Sequence, residues 1–268
     1  MFQRVVRLAI DPTNGQGQEF EGLRLEFSTR RTSQGLDAAN LRVWGLGEDS
    51  YGQIQRSDTL VRLIAGHLDT GTGVLMQGTV VKDSLRRRVE AGEVITEWQV
   101  HEAGVSLASV RLSASWQGQV TAREVANYVA DQLGVGRLQQ ELPTEARYAR
   151  GYVVSGDARQ VLRTLAADCG CTYAIQGGRL VFVPRAGTLR TRSLSFGPDS
   201  GLVGWPEAAD GGKVVAEVML APSVLPGDLY RVEGELLAGD YVAEVVEHDG
   251  DSGWSNPYYT RSTGRRAS

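Results

Sequence analysis

Leu23-Arg24-Leu25-Glu26-Phe27 alternates apolar and charged side chains without a break. A period of two puts Leu23, Leu25 and Phe27 on one face of an extended chain and Arg24 and Glu26 on the other, as in a strand with one buried and one solvated face. Toward the N-terminus the same period runs through Phe2, Val6, Leu8 and Ile10, interrupted only by Arg4, and Asn14-Gly15-Gln16-Gly17 supplies a turn between the two runs. Further strands are predicted over 40–46, 60–65, 74–81, 86–89, 94–100 and 106–114. Their regular spacing and short turns predict an antiparallel barrel, closed or nearly so, because closure removes exposed strand edges. This first β domain is assigned to residues 1–115.

The period then changes. Thr121-Ala122-Arg123-Glu124 has the form of a capping box, and Val125, Val129 and Leu133 follow at helical spacing up to Gly134. A second helix is predicted after Ser155-Gly156-Asp157, with Val161, Leu162 and Leu165 turned inward and Gly170 in the left-handed position beyond its end. The runs 171–175 and 180–183 flank Gly177-Gly178 and read as a β-hairpin. These elements make a small α+β domain over 116–187. Strands return over 194–196, 213–220, 229–232, 241–246 and 258–260. The turns predicted between them are Pro198-Asp199-Ser200-Gly201, Pro226-Gly227-Asp228, Ala238-Gly239-Asp240 and Asp249-Gly250-Asp251. A second β domain is therefore assigned to 188–268, with a polar tail over 262–268 expected to fray. The fold class is mainly β, two barrel-like domains flanking a smaller α+β module.

A chain of 268 residues with 41% hydrophobic content and 33 glycines is long enough for two or three cores and rich in tight turns. The net charge of -4 gives no global attraction to nucleic acid or anionic lipid, which points to protein partners. No apolar run approaches the roughly 20 residues of a membrane span, and the N-terminus lacks the pattern of a signal peptide. Synthesis in a reducing cytoplasm is the expectation. Cys169 and Cys171 are too close for easy disulfide geometry and too few for zinc, and are read as small packing residues.

His67, His101 and His248 lie far apart in sequence and are read as packing or surface residues. Asp249-Gly250-Asp251-Ser252-Gly253 opens like a calcium loop, but Trp254 and Thr260 stand where the loop needs Gly and Glu. Gly211-Gly212-Lys213 lacks the remainder of a phosphate loop. Glu90 with Glu93, and Asp240 with Glu244, are carboxylate pairs of a kind that arises on any solvated strand. Arg86-Arg87-Arg88 could line a DNA passage, a solvated strand or a subunit contact, and alternation turns Arg87 away from its two neighbours. No catalytic, cofactor-binding or metal-binding residue is assigned, and the chain is expected not to be an enzyme.

Asn40-Leu41-Arg42-Val43-Trp44-Gly45-Leu46, then Val61-Arg62-Leu63-Ile64-Ala65-Gly66-His67, then Met76-Gln77-Gly78-Thr79-Val80-Val81 resemble, in that order, the first domain of the baseplate hub proteins of contractile-tailed phages. Trp44 and His67 depart from the family's usual residues. The resemblance continues through Arg150 to Gly156, Gly178 to Pro184, Gly201 to Pro206, Leu225 to Asp228, Gly239 to Tyr241 and His248 to Asp251, so it covers nearly the whole chain. It implies a homotrimer whose six β domains form a pseudo-sixfold ring in the virion baseplate, joining tail tube protein to spike protein and touching other baseplate proteins. DNA would pass through the lumen without specific binding, and no cofactor is implied. Two alternatives stay open: a peptidoglycan- or glycan-active tail enzyme, and a distal-tail or tip ring protein of a non-contractile or phage-derived injection device.

Overall fold

In the computed structural model, residues 3–11, 17–56, 59–81, 83–102, 110–235, 237–253 and 257–267 are described. Phe2, the turn residues Asn14 to Gln16 and Trp254 lie outside them. The alternation of Leu23 to Phe27 is realised in the strand Leu25–Thr32, whose Leu25, Phe27, Thr29 and Arg31 are buried while the residues between them are more open. It pairs antiparallel with Ala38–Trp44, which pairs with Glu93–Glu102. Gly71–Val80, Leu60–His67 and Arg4–Asp11 continue the sheet. Their inward side chains, among them Leu8, Ile10, Leu41, Val43, Leu63 and Trp98, form one apolar core. The polar stretch after Leu46 holds a short helix not anticipated from sequence, α1 (Glu48–Ile54), which buries Ile54 in that core.

Of the strand expected over 106–114, residues 106–109 lie outside the described residues, and the strand runs from Arg111. As Arg111–Trp116 it pairs with Tyr152–Asp157 rather than with the first sheet, and Leu112 joins a second core. Helix α2 (Ala122–Leu133) starts at the capping box: the Thr121 hydroxyl accepts from the Glu124 N–H while the Glu124 carboxylate accepts from the Thr121 N–H at 2.7 Å. It ends at Gly134, whose φ of 68° is costly for a residue with a Cβ. Helix α3 (Ala158–Asp168) is capped by the Asp157 carboxylate and buries Leu162, Leu165 and Ala166. The following hairpin, Cys171–Gln176 with Arg179–Pro184, turns through Gly177 and Gly178, both at positive φ as a type I′ turn requires. Cys169 and Cys171 are free and buried in this core.

The last third corrects two expectations. Ala238-Gly239-Asp240 and Asp249-Gly250-Asp251 are not turns but parts of one 14-residue strand, Ala238–Asp251. Gly250 is there for clearance, since a Cβ would sit 2.6 Å from the Tyr258 ring and 2.8 Å from the Phe27 ring. The tail does not fray: Tyr258–Arg266 is a continuous strand between Lys213–Met219 and Ala238–Asp251. Its small residues face inward, and Gly264 lies directly under the Tyr230 hydroxyl. Phe196, Val214, Val218, Tyr230 and Val246 belong to a third core.

Two barrel-like β regions were expected, and Ala238–Asp251 of the second pairs with Leu25–Thr32 of the first over seven residues, from Val245 opposite Thr32 to Asp251 opposite Glu26. One sheet therefore runs through both β regions. On its buried side the two apolar cores do not merge. Thr29, Arg31, His248, Thr260 and Ser262 form a polar strip between them, all buried. The carboxyls of Asp37 and Glu102 lie at its end, with Arg31 beside Asp37 at 3.5 Å.

Candidate functional site: the polar face of the shared sheet

Opposite the cores, strand alternation delivers a second set of side chains to the other face, and pairing register fixes which of them are neighbours. Along one row Glu217 lies opposite Arg261, Arg261 opposite Glu247, and Glu247 opposite Arg30, crossing from the C-terminal to the N-terminal region. Arg261 reaches Glu217 at 2.9 Å and Arg30 pairs with Glu247. A second row runs Glu26, Arg42, Glu97, Arg86. Arg42 is its hub, 3.2 Å from Glu97, 3.3 Å from Glu90 and 3.5 Å from Glu26. Arg88 adds a 2.7 Å contact to Glu97. An open groove of about 410 Å³ crosses these strands, lined by residues such as Asn40, Arg42, Arg86 and Gln99.

Trp44 lies on this face too, opposite Ile95, and it is covered. The guanidinium of Arg24 lies 4.3 Å from its ring centroid and that of Arg42 lies 4.6 Å away, leaving 7% of it accessible. Acid and base thus alternate and neutralise each other across the face. Single exposed pairs of this kind contribute little to stability, so their regular spread is better understood as a surface property. Such a face presents no single-sign field to a polyanion or a polycation.

Arg86 and Arg88 point to the polar face, while Arg87 turns to the other side, where it bonds Glu48 at 2.7 Å and stacks on Tyr51 of α1. Glu90 and Glu93 flank a tight turn and are engaged by Arg42, Arg88 and Arg24. Asp240 is held by Arg231 and Glu244 by Lys213. Gly211-Gly212 is a hairpin turn between Glu207–Ala209 and Lys213–Met219. His67, His101 and His248 stand on three different strands, His101 exposed and the other two buried. Among the described residues no group of three or more His, Cys, Asp or Glu is placed to hold a metal ion.

Buried titratable groups sit on the core side of the sheet, not on the polar face. Burial pushes the His248 imidazole down to about 3, so it is neutral, with Nδ1 2.8 Å from the Thr260 hydroxyl. Burial and the neighbouring Glu102 push the Asp37 carboxyl well above the usual range, against the pull of Arg31. Burial likewise raises Glu102, whose Oε1 accepts from the Gly178 N–H at 2.8 Å and ties the hairpin turn to the end of the Glu93–Glu102 strand. Burial raises the Cys171 thiol to about 11. These groups fasten parts of the chain together, and sequence spacing gave no sign of the Asp37–Glu102 encounter.

No protein-family model matches the chain, and no curated protein matches it in sequence. Solved structures do. A tail protein from Neisseria meningitidis MC58 superposes with a TM-score of 0.71 at 9% identity, covering 99% of this chain and 97% of that one. The 43 kDa tail protein of prophage MuSo2 from Shewanella oneidensis gives 0.69 at 11% identity, covering 97% and 98%. An E. coli component of the type VI secretion system, described as structurally similar to the T4 bacteriophage tail proteins gp27 and gp5, gives 0.61 at 12% identity, covering 97% of this chain and 77% of that one. At these identities the likeness establishes a shared fold, that of phage tail and type VI secretion proteins.

Proposed function

We propose that the chain is a structural ring subunit of a phage-type tail, the baseplate hub, three copies of which enclose a channel and join the tail tube to the spike. The observation that carries this reading is the single sheet through both β regions with its charge-compensated face. From Glu207–Ala209 to Arg86–Glu90 the band contains eight strands among the described residues. At about 4.8 Å per strand it spans about 38 Å, and three copies give a circumference of about 115 Å and a backbone diameter of about 37 Å. Removing about 5 Å of side chain from each wall leaves a bore of about 27 Å. Two copies would leave only about 14 Å, too narrow for a DNA duplex, and four would leave about 39 Å. Strand tilt widens each figure without changing their order.

The polar face suits the lining of such a bore. Many of its acids and arginines pair with each other, so a passing polyanion finds neither a strong repulsion nor a long row of free cations to hold it. Sedimentation equilibrium of the purified protein, alone and mixed with the tube and spike proteins of the same particle, tests the reading. A three-chain mass and a ring with an open centre in electron micrographs are expected. A strictly one-chain mass under every condition, with no binding to either partner, refutes it.

A further inference from the structure

The eight-strand band ends in two edges that pair with nothing else among the described residues. At the C-terminal end the edge is Glu207–Ala209, preceded by a segment in which Trp205 is 63% and Val203 44% exposed. Glu207 and Asp210 are exposed there and have no ion-pair partner among the described residues. At the N-terminal end the edge is Arg86–Glu90, where Val89 is 71% exposed and Arg86 is exposed, again without an ion-pair partner among the described residues. Open edges of this kind are templates for association unless something covers them. Here the two edges carry opposite charge, and each carries a large exposed apolar side chain.

The junction already made inside the chain shows which way round such edges meet. Where Ala238–Asp251 joins Leu25–Thr32, Arg30 of the N-terminal region pairs with Glu247 of the C-terminal one, and Arg4, on the strand Arg4–Asp11, reaches Asp251 at 2.9 Å. The free edges have the same polarity, arginine on the N-terminal side and acid on the C-terminal side.

We propose that the two free edges are the two sides of one head-to-tail interface, the Trp205 edge of one copy seating on the Arg86–Glu90 edge of the next. This rests on the ring reading and names the surfaces that close the ring. A heterologous contact between opposite ends of one sheet propagates in one direction and closes when the rotation per copy divides a full turn. Trp205 is the central anchor, an exposed aromatic in a Gly-Trp-Pro turn, and the charges around it set orientation and partner choice.

The test uses the full chain. Arg86→Glu, the pair Glu207→Arg with Asp210→Arg, and all three substitutions together are compared with the unaltered protein by light-scattering mass across a concentration series. None of the three residues has an ion pair to lose among the described residues, and circular dichroism checks that each variant folds. Each charge reversal alone is expected to weaken association on the order of tenfold, and the combination to restore it. Mixing Val89→Cys and Trp205→Cys proteins with a short bismaleimide should give a cross-linked pair, whereas neither alone should. Cys169 and Cys171 are buried and stay silent. A three-chain mass indifferent to every reversal, or cross-linking of either cysteine variant to itself, overturns the edge pairing and leaves the ring standing. A one-chain mass for the unaltered protein throughout, including with tube and spike proteins, overturns both.

Discussion

Removing one oxygen from Tyr258 tests whether the two β regions behave as one cooperative body. The ring stands on the C-terminal strand Tyr258–Arg266, but its hydroxyl accepts from the Gly66 N–H at 3.0 Å and lies within donating distance of the Gly66 carbonyl at 2.7 Å and the Val5 carbonyl at 2.9 Å, all in the N-terminal region. The ring packs edge-on against His67, with centroids 5.1 Å apart, and lies under Arg4. Tyr258→Phe keeps the ring contacts and leaves the buried Gly66 N–H without its acceptor. The lost hydrogen bonds and the stranded donor together cost about 2 kcal/mol. For a chain of this size that corresponds to a fall in Tm of about 4–8 °C. Scanning calorimetry is the assay, and the transition should stay single, because the hydroxyl clamps two regions that already share a sheet. An unchanged Tm, or a transition that splits with only one half shifted, would refute the reasoning.

Other outcomes follow from groups already placed. His248 is buried and neutral, its folded pKa near 3 against an ordinary value of 6.5. Its contribution to stability is therefore present above pH 6.5 and lost as pH falls toward 3, and His248→Gln should flatten that acid limb in a Tm-against-pH series. Asp37 behaves oppositely. Its raised carboxyl binds its proton more tightly when folded, so that contribution is complete below the ordinary carboxylate range and is lost as pH rises through the folded value. Asp37→Asn should reduce the loss of stability as pH rises, and parallel curves for variant and unaltered protein would contradict the assignment. Thr121→Ala removes the cap of α2 at a cost of about 1 kcal/mol, measurable by urea denaturation. Arg261→Ala removes an exposed pair with Glu217 and should shift the urea midpoint far less than Thr121→Ala.

The elements that sequence reading located well are those specified by local chemistry. The capping box at Thr121, the left-handed Gly134 and the Gly177-Gly178 hairpin each act through bonds within a few residues, and each is where it was expected. The misreadings share one cause. Gly250 has the look of a turn glycine, but it is required because Phe27 and Tyr258 come together over it, a fact about residues brought from opposite ends of the chain. The polar run after Ser262 resembles a loose tail, yet the strip between two cores calls for small and polar residues facing inward. The polar face was half legible. Alternation put Arg24 and Glu26 on a solvated side, but only pairing register showed that Arg30 would meet Glu247. The Asp37–Glu102 pair had no local signature at all.

The strand Ala238–Asp251 has a consequence for biogenesis. Leu25–Thr32 emerges early in translation, but the strand that flanks it is made more than two hundred residues later. Until then the N-terminal region carries a naked border inviting wrong neighbours, and its final partner must close a very long loop, which slows the search. A cell making this protein would therefore hold partly built chains in need of shelter, and their demand on chaperones would end when residue 251 docks.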